Sequence, residues 1–318
     1  MSNSRDSTVG AVVDQFQTVD VSSWPVASVE PRGAEAKTWL EEPASEDIEP
    51  RRWLFKPITH HDWGDQGEDW AEKITSEVGQ LLRVPCAPIE LATRDGERGL
   101  ISLDLAPRPF QLFTGMLVMP AVVSDYQVGA NRVTGRPGHS LANIRLALAG
   151  CVPPPNSEVP ASFDAFDVFV GYLMLDGLVA NRDRHDENWA ILRPADPDLS
   201  DMLCGAYDHG STLGYNLRDV ARQRKLDERQ VDAWVRKGTA WRFEHETPPG
   251  PLSLVQLAAE ALTMVDPAVR RYWIGQLEAV ATDVLVNVVS KTPGMSDPAR
   301  TFASEVLRLN RERLLNEC

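Results

Sequence analysis

Residues 181–188 read Asn-Arg-Asp-Arg-His-Asp-Glu-Asn, set between the apolar runs GYLMLDGLVA (171–180) and WAIL (189–192). Six ionisable side chains in eight positions are either a solvated turn or a polar site that the flanking core holds in place. The first run continues a helical pattern in which Phe163, Phe166, Val170, Leu173, Met174 and Leu178 share one face, with Ser162 as the expected N-cap. The second run reads as a short strand. A buried helix and a strand would therefore fix both ends of the charged loop.

The spacing within the loop has a chemical use. Asp183 and Asn188 are five residues apart, and Asp208 opens an Asp-His-Gly turn after two more short strand-like runs. Phosphoryl transfer needs a carboxylate near the acceptor hydroxyl, oxygen ligands for Mg²⁺ on the ATP phosphates, and a cation on those phosphates. Protein kinases place the first carboxylate and the metal-binding amide at D-x-x-x-x-N spacing, and their second carboxylate opens a D-x-G turn. The plain alternative is a charged helix–strand connection closed by its own salt bridges.

Composition narrows the choice. The chain carries 46 Asp plus Glu against 32 Lys plus Arg, a net charge of −14. That excludes a general binder of nucleic acid or anionic membranes, which are held by clustered positive charge. One nucleotide, held by a few local groups, remains compatible. With 43% hydrophobic residues over 318 positions there is material for a real core. Cys86, Cys151, Cys204 and Cys318 form no CxxC pair and read as reduced thiols. The histidines show no metal-ligand spacing, and His60-His61 reads as solvent-facing. Asp164, Asp167 and Asp176 interrupt the apolar run at 163–180, so it reads as a buried helix and not a membrane span. With no secretion pattern at the N-terminus, a cytoplasmic protein is expected.

Along the chain, residues 1–22 read as a partly disordered tail. A smaller β-rich lobe is expected over 23–111 and a larger α-rich lobe over 112–318, giving a two-lobed α+β fold in one domain. In the first lobe, RRWLFKP is a strand stopped by Pro57, WAEKITSEVGQLL is a helix, and Asp95-Gly96 joins two strands in a hairpin. Asp69-x-x-Glu72 has the pattern of a capping box. Helices are expected over 226–237, 253–265, 267–289 and 298–316.

On these residues the chain resembles the HipA-like serine/threonine kinases, in their short form, a bacterial family distantly related to phosphatidylinositol 3/4-kinase-like folds. Asn-x-Asp-Arg-His-x-x-Asn at 181–188 and Tyr-Asp-His-Gly-Ser at 207–211 are similar to its catalytic and metal-binding loops. RGAEAKTWL (32–40) looks like its phosphate loop, with Gly33, Ala34 and Lys37 matching, and WLFKP looks like the strand whose lysine, here Lys56, holds the phosphates. AEKITSEVGQLLRVPCAPIEL (71–91) and LRLNRERLL (307–315) match a helix–strand block and the last helix. The resemblance runs from about Ala27 to the end. It departs at Arg83, where the family has glycine, and at His209-Gly210 in the turn after Asp208; His209 reads as a turn residue with no catalytic role.

The resemblance implies a two-lobed, ATP- and Mg²⁺-dependent protein serine/threonine kinase, acting on a protein substrate and serving as a toxin paired with an antitoxin protein. A lipid or small-molecule kinase on the same scaffold, or an ATP-binding regulator with weak catalysis, are the alternatives. It further implies that Asp183 orients or deprotonates the acceptor hydroxyl, that Asn188 and Asp208 hold Mg²⁺, and that Lys56 contacts the phosphates under a loop carrying Lys37. Arg184 and His185 would support the loop. Motif position favours Glu72 as the partner of Lys56, while the helical wheel favours Glu77. The adenine would lie against Leu103–Leu105. Ser28 is the candidate autophosphorylation site, in a loop that phosphate would disorder.

Overall fold

Alternation along Arg52–Pro57 organises the first layer, because successive side chains of a strand point to opposite faces. The computed structural model describes residues 14–30, 37–44, 50–128 and 133–318. The chain runs through β1 (Thr18–Asp20), β2 (Val26–Glu30), β3 (Lys37–Glu41), β4 (Arg52–Pro57) and a small hairpin of β5 (His60–His61) and β6 (Gly64–Asp65). Helix α1 (Glu68–Leu81) follows, then β7 (Ile89–Arg94) and β8 (Glu97–Leu103). Six of these strands form one sheet in the order β1-β7-β8-β4-β3-β2, antiparallel except where β1 meets β7. β1 lies inside the stretch read as a tail. Trp53 and Phe55 close on Val21, Leu40, Ala92 and Ile101 in a small core, while Leu54 and Lys56, on the opposite face of β4, line a large cavity. Asp95 and Gly96 have φ of 53° and 81°, the left-handed pair that a tight β7–β8 hairpin requires.

α1 is buried along most of its length. Trp70, Ile74 and Val78 enter the same core as α4, and the buried Asp69, Glu72 and Lys73 each have an ion-pair partner. The capping box expected at Asp69-x-x-Glu72 does not form. The helix begins at Glu68 behind Gly67 with no side-chain cap, which places both carboxylates inside it, turned to Arg98 and Lys56. After the helix, Arg83 has φ 55°. This left-handed conformation suits glycine, the residue the family resemblance led one to expect there.

The larger part holds β9 (Gln111–Thr114), α2 (Gly115–Val118), α3 (Leu141–Ala147), α4 (Ala165–Val179), β10 (Ala190–Arg193) and β11 (Met202–Leu203). It ends with α5 (Asp219–Asp227), α6 (Val231–Arg236), α7 (Leu254–Thr263), α8 (Pro267–Ala279), α9 (Thr282–Lys291) and α10 (Asp297–Glu317). α4 is the axis of this part. Every residue in it except Asp167 is buried, so the single apolar face read from sequence becomes burial all round, beneath α7, α8 and α10. Its cap is Asp164, in a reciprocal capping box with Asp167, and not Ser162. Gly171 lets α8 approach: a Cβ there would lie 2.5 Å from Trp273 Cζ2. The helix expected over 267–289 is two, broken at Val280-Ala281, where Arg311 donates to the freed carbonyls of Val280 and Glu278. The one expected over 226–237 breaks at Arg229, which has φ 53°. β9, β10 and β11 form a three-stranded sheet, and the charged loop lies between α4 and β10.

Candidate active site

The loop 181–188 is held from beneath by charge that the helix itself carries. Asp176, in the last turn of α4, is 2% exposed and accepts from Arg184 Nε and Nη2, both at 2.8 Å, and from Asn181 Nδ2 at 2.7 Å. Arg184 Nη1 donates to the Asn188 carbonyl at 2.6 Å, and Nη2 contacts His209 Nε2 at 3.0 Å. A buried guanidinium needs all these acceptors. Since Nε2 of His209 must accept that proton, its ring is neutral; burial drives its pKa well below the usual histidine range. His209 is thus buried under the loop, and not a surface turn residue. Asp186 is held at 2.7 Å by Tyr126 Oη and at 3.3 Å by Arg136 Nη2. The loop's carboxylates are therefore tied from two sides.

Above the loop, Lys56 Nζ lies 2.8 Å from Asp208 Oδ1 and 3.0 Å from Glu72 Oε1. The two glutamates separate: Glu77 pairs with Lys73 at 2.8 Å. Burial acts to lower the Lys56 pKa, but Asp208 and Glu72 outweigh it and raise it. The adjacent Lys56 ammonium holds Asp208 well below the carboxylate range, with Lys37 adding to the effect. Burial pushes Glu72 up, and its Oε2 is buried without a hydrogen-bond partner among the described residues.

These groups open on a cavity of about 930 Å³ lined by Lys37, Leu54, Lys56, Leu103–Ala106, His185, Glu187, Asn188 and Asp208, with Phe110 and Tyr207 among its apolar walls. Asn188 Nδ2 donates to the Asp183 carbonyl at 2.8 Å, which leaves its amide oxygen as the acceptor atom. An amide oxygen and an ionised carboxylate on one cavity wall are the hard donors that Mg²⁺ takes. Asp183 is not among the residues that line the cavity but neighbours one that does: its Oδ2 is 4.0 Å from His185 Nε2, and Arg242 binds its Oδ1. Gly33 and Ala34 lie outside the described residues. Ser28 is exposed on the edge strand β2, paired with Trp39 and beside a bulge, rather than in the loop expected for it, because the β2–β3 pairing already begins there. Sequence reasoning gave no role to Asp176, His139 or Arg242. A lone acid inside an apolar helix was a usable signal for Asp176; the others had none.

No protein-family profile and no curated protein sequence matches the chain. Among solved structures it is similar to the proinflammatory kinase CtkA of Helicobacter pylori, with a TM-score of 0.68, 14% identity, and coverage of 94% of this chain and 96% of that one. It is also similar to HipA of Shewanella oneidensis, solved with HipB and operator DNA, with a TM-score of 0.53, 11% identity and 92% of this chain covered. The chain spans 65% of that HipA. The α+β architecture, sheet first and helices after, is the fold of CtkA and HipA.

Proposed function

We propose that this chain is an ATP- and Mg²⁺-dependent protein serine/threonine kinase of the HipA-like type. The observation that carries the proposal is Lys56 held between Glu72 and Asp208 on the wall of a cavity that also presents Asn188. A lysine fixed by two carboxylates has its charge aimed at one place, and a triphosphate is the ligand that uses a cation beside a metal-binding pair. Leu54, Leu103 and Leu105 supply apolar walls for the base, and Lys37, at the start of β3, adds a second cation. Asn188 and Asp208 would hold Mg²⁺, which supplies charge neutralisation on the phosphates when bound.

In the transfer itself the acceptor oxygen forms a bond to the γ-phosphorus as the bond to the β,γ-bridging oxygen breaks. ADP leaves with that electron pair, and the hydroxyl proton passes toward Asp183. No covalent enzyme intermediate is needed; catalysis rests on position and charge. A protein acceptor, an antitoxin partner and a toxin role are part of the proposal, supported by the likeness to a HipA solved with HipB. Among the described residues no helix is long and apolar enough to cross a membrane, and a cytoplasmic site of action is proposed. Ser28, exposed on β2, is proposed as an autophosphorylation site; a phosphate there would load charge on an edge strand without unpairing it from β3.

The test is transfer from γ-labelled ATP into a cell lysate, read separately in protein and lipid fractions. Label in protein that vanishes with Asp183→Asn, while nucleotide binding persists, is the expected result. Label confined to lipid, or full transfer by Asp183→Asn, sinks the proposal.

A further inference from the structure

Residues 242–245 are laced to residues 135–139. The Arg242 carbonyl accepts from His139 Nδ1 at 2.8 Å and from Arg136 Nε at 3.4 Å. The Glu244 amide donates to the His139 carbonyl at 2.8 Å and the His245 amide to the Gly135 carbonyl at 2.9 Å. Phe243 is buried with its ring centroid 4.9 Å from that of His139. His139 Nε2 accepts from Trp189 Nε1 at 3.1 Å. One nitrogen of this imidazole therefore donates while the other accepts, which only the neutral ring can do. A chain of bonds thus runs from Trp189, the neighbour of Asn188, to the backbone of Arg242.

From that anchored position the Arg242 guanidinium lies over the Trp241 ring, 3.8 Å from its centroid, and reaches Asp183. Nε is 2.8 Å and Nη2 2.5 Å from the same oxygen, Oδ1. The other oxygen, Oδ2, is on the side of His185, which lines the cavity. Two guanidinium donors converging on one oxygen commit Oδ1, and the planar group cannot swivel as an ammonium can. Both side chains are partly enclosed, 15% exposed for Arg242 and 29% for Asp183, so water does not dissolve the pair.

We propose that Arg242 is a positioning residue for phosphoryl transfer: by committing Oδ1 it holds the Asp183 carboxylate with Oδ2 presented to the acceptor hydroxyl. The inference rests on the phosphotransfer role given to Asp183 above. It implies that residues 135–139 and 240–245, distant in sequence from the catalytic loop, act on the rate through one side chain. It also separates Arg242 from an inhibitory latch, which would hold the carboxylate away from its substrate and whose removal would speed transfer.

The experiment compares Arg242→Gln, Asp183→Asn and the double variant with the wild-type protein. Arg242→Gln is expected to lower kcat about 10- to 100-fold, the range for a misplaced catalytic group, with KM for ATP within about twofold because the nucleotide wall is untouched. If Arg242 acts only through Asp183, the double variant is no slower than Asp183→Asn alone. A rate above wild type for Arg242→Gln, or losses that multiply in the double variant, overturns the proposal. A crystal structure of Arg242→Gln gives a readout independent of activity, with the Asp183 carboxylate expected to leave its wild-type orientation. If the wild-type protein transfers no phosphate, the kinase assignment fails. In that case an unmoved Asp183 in the variant crystal would still refute the positioning role on its own.

Discussion

Arg184→Met isolates the charge at the base of the loop. The guanidinium is 2% exposed and makes four close polar contacts, two with Asp176 at 2.8 Å, one with the Asn188 carbonyl and one with His209. Methionine fills similar space without charge, so Asp176, itself buried, keeps Asn181 as its one side-chain donor among the described residues. Removing one partner of a buried pair costs about 3–5 kcal/mol, a large part of the roughly 5–15 kcal/mol that holds a domain together. The assay is urea unfolding followed by tryptophan fluorescence, with Asp176→Asn and the double variant measured alongside. Each single variant leaves an uncompensated buried group, whereas the double variant leaves no buried charge. The double is therefore expected to be more stable than the sum of the singles predicts, by at least about 2 kcal/mol. A loss below about 1 kcal/mol for Arg184→Met, or additive losses, would refute the view that this pair is the loop's foundation.

His139 gives a pH prediction. Burial lowers its pKa to about 4, from an ordinary value of 6.5, so the unfolded chain takes up the proton first. The stability of the neutral ring is complete above about pH 6.5 and is lost as pH falls toward about 4, by about 3 kcal/mol from this group; His139→Gln is expected to flatten that slope in thermal melts across pH. Asp208→Asn removes a charge-assisted partner of Lys56 and a proposed metal ligand, and should weaken Mg-ATP binding about 10-fold or more in a fluorescent-nucleotide titration. Arg83→Gly relieves a left-handed φ and should stabilise the protein by about 1 kcal/mol in urea, because the ion pair with Glu158 that it gives up is half-exposed and weak.

The parts of the site that were legible were those whose signal is local. Lys56, Asn188 and Asp208 could be expected on one cavity because a strand, a rigid loop and a turn fix their spacing and facing. Period-two alternation puts Lys56 opposite Trp53 and Phe55, which is a consequence of the strand alone. Arg242 and His139 were illegible because their partners lie 59 and 50 residues away, with no periodicity linking them. Most of the longer helices were legible, but α3 was not, nor were several boundaries. Asp164 outcompetes Ser162 as a cap because Asp167 can reciprocate, and the break at Val280 depends on Arg311 arriving from α10 to satisfy its carbonyl. Glu72 against Glu77 turned on which face of α1 meets the sheet, since nearly the whole helix is buried.

The division of buried side chains between two cores has a mechanical consequence. Trp53 and Phe55 share a core of six buried side chains with the rest of the sheet, whereas α1 belongs to the large core built around α4. Lys56 and Glu72 therefore extend from elements whose apolar side chains are buried in different clusters. Amide hydrogen exchange should release β2, β3 and β4 well before α1, although α1 lies between strands of that sheet in sequence. A ligand filling the cavity would borrow stability from the helices and lend it to the sheet, and the gain in protection should be greatest along β4.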